Sequence, residues 1–385
     1  MEVVRAPAWP QGWNDTPFLT DGALVAGNAA LGLNMRPAIW QAGLAAWLDE
    51  PAPFCPSTWI VGGVAGSGIV ASRINFLPPT GSCALEDQRA CVTDLGRGTN
   101  QVLEPPVPWA SSEAYDATND GAVICMLRGQ TDMEFAGALF ADGAWSLLPA
   151  PTPGGHHAYA IEASDDNYLL GFAMGSLSPS SPHVYWDLHT GQVGWLHAVA
   201  GMSWAEAVCT GGWYAGRDVF TGRPLAWNVS GERRVFSSSQ LTLVEGTAYG
   251  VSSDGMQAVG LATFLMYVPG HQDPPPLSRV FHARDSDVTL LDCDLPPDLP
   301  PTQQADTQMN AGGQIIARFV DGEYRLLTPL AQSIPSPDLD CSKSVDGADL
   351  SILLGSWGRS GTGDLDDSGS VDGADLAILL GAWDP

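Results

Sequence analysis

The chain has 385 residues, of which 45% are apolar and 15% charged, so a sizeable core is available and general disorder is excluded. Its formal net charge of −27 makes nucleic acid and anionic membranes poor partners and bound cations better ones. The 44 Gly and 30 Pro residues follow no collagen period and are typical of an all-β protein with many turns.

The N-terminal stretch, MEVVRAPAWPQGWND, lacks the basic-then-apolar layout of a secretory signal. No run in the chain has the apolar length that a membrane span needs. Two interpretations are open here: the protein is cytoplasmic, or the start of the gene is missing. The tail, described below, favours the second.

The seven cysteines are too few and too scattered for a disulfide scaffold. Cys83 and Cys91 are close enough in sequence to bridge across one hairpin. Cys125, Cys209 and Cys293 lie in apolar runs, which predicts buried thiols.

One phrase recurs along residues 13–330: two hairpins, of which the first carries a tight Asp-Gly or Gly-Gly turn. The clearest copies begin at Ala114, Ala158 and Ala248. Seven turns result, at positions 21, 67, 120, 166, 211, 254 and 312, with spacings of 43 to 58 residues. Four short strands at this period predict a mainly β fold, a β-propeller of about seven four-stranded blades.

The second hairpin of most units carries an aromatic residue, which we expect to pack between blades, because a single blade cannot bury both its faces. These aromatics are Trp40, Phe140, Trp186, Trp227, Phe281 and Phe319. A second interpretation stays open, in which some of the 14 Trp line a sugar-binding surface.

The phrase resembles the bacterial HAF-type extracellular repeat, in which Ala-x-Ala/Val-Ile/Val-Ser-x-x-Gly-x-Val-Val-Gly is followed by a later aromatic-x-x-Gly. The likeness covers roughly residues 13–330 and implies an extracellular propeller-like domain without a known reaction. Units one, two and five depart most from the pattern.

Residues 338–385 follow a short Ser/Pro linker at 331–337 and hold ten Asp against Lys343 and Arg359. Within them Asp338–Trp357 aligns without a gap to Asp364–Trp383, which is a duplication. The second copy fits a 12-residue calcium loop, with oxygen ligands at positions 1, 3, 5, 7, 9 and 12 and Gly at position 6. The predicted ligands are Asp364, Asp366, Ser368, Ser370 (through its carbonyl), Asp372 and Asp375 in this copy, and Asp338, Asp340, Ser342, Ser344, Asp346 and Asp349 in the first.

A helix is predicted after each loop, with apolar residues at i, i+3, i+4 and i+7. The stripes are Leu350, Leu353, Leu354 and Trp357 in the first copy and Leu376, Leu379, Leu380 and Trp383 in the second. We expect the two stripes to pack on each other as an antiparallel helix pair, and Val371 at loop position 8 to pair the two loops.

The duplicated loop–helix unit closely resembles the type I dockerin domain. The resemblance implies a small all-α module that binds Ca²⁺ and docks onto a cohesin-like partner or a cell-surface component. Lys343 occupies position 6 of the first loop, where Gly is expected, so weaker calcium binding is expected there. Positions 10 and 11 are Gly347-Ala348 and Gly373-Ala374, which leaves the partner open. Because millimolar extracellular calcium fills weak loops, the tail argues for an extracellular or cell-surface location.

No nucleophile elbow, P-loop, zinc-protease or dinucleotide motif is present in the sequence. Asp165-Asp166 falls in a predicted hairpin turn, which explains it without catalysis. Two functions remain. The first is a secreted, non-catalytic binding or scaffold protein whose propeller recognises a carbohydrate or protein ligand. The second is a carbohydrate-active enzyme, a polysaccharide hydrolase or lyase, with carboxylates converging in the propeller channel.

Overall fold

The computed structural model describes most of the chain. The described residues are 2–5, 18–20, 24–31, 34–41, 44–49, 59–75, 88–131, 134–151, 157–174, 183–196, 203–238, 242–265, 276–284, 287–295, 299–303, 307–328, 337–339, 344–359, 363–366 and 368–383. Within these residues, no helix has both the length and the apolar character that crossing a membrane requires.

The described strands form seven antiparallel sheets of four strands each, which we call blades 1 to 7. The strands are β1 (Glu2–Arg5) of blade 7; β2 (Phe18–Leu19), β3 (Val25–Leu31), β4 (Asn34–Gln41) and β5 (Leu44–Trp47) of blade 1; β6 (Ile60–Val64), β7 (Ile69–Asn75), β8 (Gln88–Asp94) and β9 (Thr99–Leu103) of blade 2; β10 (Ser111–Ala117), β11 (Val123–Arg128), β12 (Phe135–Ala141) and β13 (Ala144–Leu147) of blade 3; β14 (His157–Ala163), β15 (Tyr168–Met174), β16 (His183–Asp187) and β17 (Gln192–Trp195) of blade 4; β18 (Ser203–Cys209), β19 (Trp213–Asp218), β20 (Pro224–Asn228) and β21 (Arg233–Val235) of blade 5; β22 (Thr242–Val251), β23 (Gln257–Leu265), β24 (Pro276–Arg284) and β25 (Asp287–Leu290) of blade 6; and β26 (Gln308–Met309), β27 (Ile315–Arg318) and β28 (Tyr324–Thr328) of blade 7. The predicted seven-bladed, mainly β propeller is confirmed.

In blades 2 to 7 the first hairpin turns where the sequence places its Gly or Asp pair. In blades 2 and 3 the turn is closed by Gly68 and Gly121, whose φ angles of +87° and +90° suit glycine far better than other residues. The predicted turn at 21–22 lies outside the described residues. Turn chemistry therefore sets the repeat of the fold, because each turn starts a new pair of strands.

Buried apolar residues collect between the blades, and each of the seven neighbouring pairs shares one cluster. The six predicted aromatics all lie in or against these clusters, so their packing role is confirmed: Trp40, Phe140, Trp186, Trp227, Phe281 and Phe319. Because every interface is filled, the blades form a closed ring whose core is the sum of its interfaces.

The ring closes through the beginning of the chain. Strand β1 pairs with β28 in antiparallel register, with Glu2 opposite Thr328 and Arg5 opposite Arg325. The propeller sheet thus includes residues that precede position 13. Blade 7 also packs on blade 1 through a shared cluster that contains Trp40 and Tyr324.

We expect Tyr214→Phe to lower the free energy of unfolding by about 1–2 kcal/mol, because a buried hydrogen bond is lost while the ring remains. The Tyr214 hydroxyl, fully buried in blade 5, donates to the Leu169 carbonyl of blade 4 at 3.2 Å. Urea denaturation measures the change. Tyr185→Phe is the control, since that half-buried ring packs against the edge of the same cluster. A shift no larger than the control's would contradict the expectation.

The free cysteines fit the core. Cys125 and Cys209 are buried free thiols, as predicted. Cys91 is also free and buried, so it does not form the disulfide with Cys83 that the sequence spacing allowed. Cys83 itself lies outside the described residues. Burial raises the pKa of the Cys91 thiol to about 11, although a hydrogen bond with Ser72 lowers it, which makes this thiol a poor nucleophile.

The tail holds two short helices, α1 (Gly347–Gly355) and α2 (Gly373–Gly381). Each begins at an aspartate N-cap with a reciprocal capping box, Asp346 with Asp349 and Asp372 with Asp375. Their shared core consists of matching residues from the two copies: Leu339 and Leu365, Val345 and Val371, and Leu353 and Leu379. The duplication in sequence is therefore a duplication in structure.

One expectation for the tail is wrong in detail, and another holds for the side chain. Only part of each apolar stripe is buried. Leu339, Val345 and their counterparts from the loops occupy core positions that we had predicted for helix residues. Val371 lies in the same buried cluster as Val345, its counterpart in the first loop, while its backbone pairs with Gly358 and Arg359, which follow α1. Its N–H donates to the Arg359 carbonyl at 2.8 Å, and its own carbonyl accepts from Gly358 at 2.9 Å.

Candidate functional sites in the channel and the tail

The first strands of all seven blades line one central cavity of about 70 Å³. Five of these strands carry a register shift of one residue, at Gly62, Tyr115, Ile161, Glu206 and Tyr249. A bulge re-aims the side chains beside it. In blades 3 and 4 the residues that follow the bulge, Asp116 and Glu162, both line the cavity.

Asp116 links blade 3 to blade 4. Its carboxylate accepts from the backbone N–H of Ala163 at 2.8 Å through one oxygen and from that of Ala117 at 2.8 Å through the other. Burial raises the pKa of Asp116 to about 8, more than the two backbone donors lower it, and the charge of Asp165 raises it further. This carboxyl therefore changes its charge near neutral pH.

Glu162 repeats this arrangement one blade further. The half-buried Glu162 carboxylate accepts a backbone hydrogen bond from Val208 of blade 5. Burial raises the pKa of Glu162 well above its usual range, and the charge of Asp116 raises it further. The hydrogen bond from Val208 lowers this pKa, whereas the charge of Glu206 raises it. The channel thus holds two electrostatically interacting carboxyl groups, each of which accepts a hydrogen bond from the backbone of the next blade.

The sequence did not single out this carboxyl pair. The only sign of this pair in the sequence is that Asp116 and Glu162 precede their hairpin turns by the same number of residues. The turn interpretation of Asp166 is supported, because its carboxylate accepts from the Ser164 hydroxyl at 2.7 Å and from the Gly211 N–H of blade 5 at 2.7 Å. Its neighbour Asp165 lines the channel cavity.

In the tail, Asp364, Asp366 and Asp375 each offer a carboxylate oxygen within 4.8 Å of the others. Three hard oxygen donors at this spacing can bind a metal ion. Gly369, at loop position 6, has a φ of +94°, which the turn of such a loop requires. The donor set therefore fits a hard cation.

Asp375 is fully buried and organises this loop. Its carboxylate accepts from the N–H groups of Leu365 at 2.5 Å, Asp366 at 3.2 Å and Asp372 at 2.7 Å. Burial raises the pKa of Asp375, but these backbone donors outweigh it, so the pKa is lowered overall. The carboxylate is consequently charged at neutral pH.

The remaining predicted ligands of this loop lie around the triad. Ser368 donates from its backbone to Asp364 at 2.9 Å, and its hydroxyl donates to the Ser370 carbonyl at 3.2 Å. The Asp372 carboxylate accepts from the Ala374 N–H at 2.7 Å as the cap of α2.

In the first copy, the described residues keep the same pattern. Asp349 is fully buried and accepts from Leu339 at 2.6 Å and from Asp346 at 2.8 Å. Asp338 and Ser344 are half-buried. The predicted ligands Asp340 and Ser342, together with Lys343, lie outside the described residues.

Both helices leave large apolar side chains in solvent, at matching positions of the two copies. Leu354 is 52% exposed and Leu380 is also 52% exposed, while Trp357 is 46% and Trp383 36% exposed. Exposed apolar side chains grouped in this way are typical of surfaces that bind partners.

No family model matches the chain, and no curated protein matches it. Solved structures of similar shape have low identity. An oligogalacturonate lyase from Vibrio parahaemolyticus is 12% identical, with a TM-score of 0.49, and the match covers 86% of this chain and 94% of the lyase. A prolyl endopeptidase is 13% identical, with a TM-score of 0.49 and coverage of 82% and 50%. A virginiamycin B lyase from Staphylococcus aureus is 10% identical, with a TM-score of 0.42 and coverage of 86% and 99%. Similarity at this level concerns the fold alone, so the sites rest on the residues described above.

Proposed function

We propose that this protein is a secreted, non-catalytic binding or scaffold protein. Its propeller recognises a ligand, and its tail binds Ca²⁺ and docks the chain to a cohesin-type partner or a cell-surface complex. The observation that carries the proposal is the convergence of Asp364, Asp366 and Asp375 in the register of a calcium loop.

Calcium is the metal we propose, because the donors are carboxylate, hydroxyl and carbonyl oxygens, without the nitrogen or sulfur that softer metals prefer. Six to eight oxygen ligands suit Ca²⁺, and the loop offers Asp364, Asp366, Ser368, Ser370, Asp372 and Asp375. The ion would supply the charge that holds these carboxylates together, and calcium at extracellular concentrations suits such a loop.

Docking is supported by the exposed pairs Leu354 with Trp357 and Leu380 with Trp383. An amphipathic helix that leaves such side chains in solvent presents anchors for a groove on a partner. The two copies present matching anchors, at positions that the sequence predicted to lie between the two helices.

Calcium titration of the full chain by calorimetry tests the proposal. We expect saturable binding in which Asp364→Asn removes the tighter site and Asp338→Asn the weaker one, because Lys343 places a positive charge in the first loop. Capture on immobilised cohesin-type domains, in calcium and in chelator, then tests docking. Asp254→Asn, a turn aspartate of blade 6, is the control. Absence of binding at millimolar calcium, or equal binding by all variants, would remove the proposal and its argument for secretion.

The enzyme hypothesis has one specific observation in its favour, the raised pKa values of Asp116 and Glu162 in the channel. Small-molecule sites usually enclose about 300–1,000 Å³. The cavity beside these carboxyls measures about 70 Å³, too little for a sugar ring with its neighbours. We therefore place this function second. Release of reducing or unsaturated ends from a polysaccharide by the purified chain would reverse that order.

A further inference from the structure

A groove runs between blades 2 and 3 on the face that carries the first hairpin turns. Its volume is about 490 Å³, within the usual range of small-molecule sites and far above that of the central cavity. We call it the blade 2–3 groove. It is lined by the turns at Ser67 and at Asn119–Gly121 and by the neighbouring turn at Asp142–Gly143. It is therefore separate from both the channel and the tail.

Part of the groove is apolar. Ile69 and Val92 of blade 2 face Val123 and Phe140 of blade 3. The Phe140 ring lies edge-on to Trp145, with centroids 5.2 Å apart, and the Trp145 indole donates to the Glu104 carbonyl at 2.9 Å. The Phe140 ring in the groove is thus held by Trp145, which is anchored at the residue after β9, and this ring suits an aliphatic stem or a nearby cation.

The rim is acidic. Among the lining residues that the structure describes, Asp94, Asp120 and Asp142 carry negative charge and Arg97 alone is positive. Arg97 already pairs with Asp94, with Nε and Oδ2 3.5 Å apart. Asp120 has neutral partners, the Thr118 hydroxyl and the Asn167 side-chain amide, the latter at 3.2 Å. Asp120 and Asp142 therefore give the groove a surplus of negative charge.

We propose that the blade 2–3 groove binds a primary ammonium or guanidinium group carried on an aliphatic stem, as in a basic peptide segment or a free polyamine. The acidic rim disfavours phosphates and uronates, and the net charge of −27 draws cations toward the protein. The apolar wall accepts the stem while the carboxylates accept hydrogen bonds from the charged head. This proposal names the class of ligand that the propeller would recognise, so it rests on the ligand-binding part of the proposed function. It does not depend on calcium binding by the tail.

The test is calorimetry on the full chain in chelator at low salt, with spermidine and hexalysine as probes. We expect saturable binding of at least one probe, weakened by salt. Asp142→Asn should lower the affinity about tenfold, since one charged hydrogen-bond partner is lost. Asn accepts the φ of +51° found at Asp142, so the turn is kept. Binding of hexalysine alone identifies a peptide as the source, and binding of spermidine identifies a free polyamine.

The matched control is Asp254→Asn. Asp254 lies in the first hairpin turn of blade 6, where it accepts from the Ser252 hydroxyl at 2.6 Å, and it lies outside the groove. Equal loss of affinity in both variants would mean a general effect of net charge and would overturn the assignment. So would unchanged affinity in Asp142→Asn, or binding of cellohexaose in place of both probes. Because the assay contains no calcium, its failure leaves the tail's function standing, and the reverse also holds.

Discussion

Asp375→Ala is expected to unfold the second loop–helix unit of the tail while the propeller stays folded. The substitution removes the acceptor of three backbone N–H groups, from Leu365, Asp366 and Asp372, at a site with no exposure to water. A buried donor left without a partner costs about 1–3 kcal/mol. A core of this size rarely supplies more than about 3–5 kcal/mol, so the loss exceeds what the tail can bear.

Trypsin provides the measurement, because Arg359 lies between the two copies and its carbonyl accepts from the Val371 N–H in the folded tail. Cleavage after Arg359, followed by mass spectrometry, should be much faster in Asp375→Ala than in the native chain. Ser351→Ala, on the exposed side of α1, is the matched control and should cleave at the native rate. Equal rates in all three proteins would show that Asp375 does not hold the tail together.

The lowered pKa of Asp375 adds a pH dependence to the same unit. The folded-state pKa lies below the unfolded one, so the charged carboxylate contributes stability above the ordinary aspartate pKa of about 4. That stability is lost as the pH falls through the folded-state value. Trypsin does not work at such low pH, so the rate of pepsin digestion measures the loss of stability at acid pH.

Asp116→Asn is expected to change how the stability of the propeller depends on pH. The folded-state pKa of about 8 lies above the unfolded value near 4, so the native chain loses stability as the pH rises between them. The loss is on the order of 5 kcal/mol, because the two pKa values lie about four apart and each pKa unit corresponds to about 1.4 kcal/mol. Asparagine carries no charge, so it removes this contribution, although its amide can accept only one of the two backbone N–H groups now bound.

Urea midpoints at pH 5 and pH 9 measure this effect. The variant should be less stable than the native chain at pH 5, where the lost hydrogen bond dominates, and equal or more stable at pH 9. Some slope will remain in the variant because Glu162 has a raised pKa as well. Glu245→Gln, which changes an exposed carboxyl of blade 6 outside the channel, is the control. A constant difference between variant and native chain at the two pH values would refute the assignment.

The parts of the fold that the sequence predicted are those set by local chemistry. A Gly or Asp pair every 43 to 58 residues specifies a hairpin by its own backbone preference, so the blades could be counted. The aromatics of the second hairpins, such as Trp186, were predictable because an interface needs a large apolar residue at a fixed place in the repeat. The two helices of the tail were predictable as well, since apolar residues recur there at a helical period.

The parts that were not predicted depend on contacts made only after the ring closes. Asp116 accepts from Ala163 of another blade, and neither the bulge before Asp116 nor this contact has a mark in the local sequence. The exposure of Leu354 and Leu380 follows from how Leu339 and Leu365 fill the small core, which a helical period cannot show. The pairing of β1 with β28 joins segments from opposite ends of the propeller.

That pairing also decides where mechanical load would enter the molecule. The tail follows Thr328, the last residue of β28, and β28 lies between β27 and β1 in its sheet. A pull on a docked tail would therefore be resisted by hydrogen bonds on both sides of one strand. The antiparallel registers from Glu2 opposite Thr328 to Arg5 opposite Arg325 would share that load with β27. A chain lacking its first five residues would carry the same force on an edge strand, held on one side only.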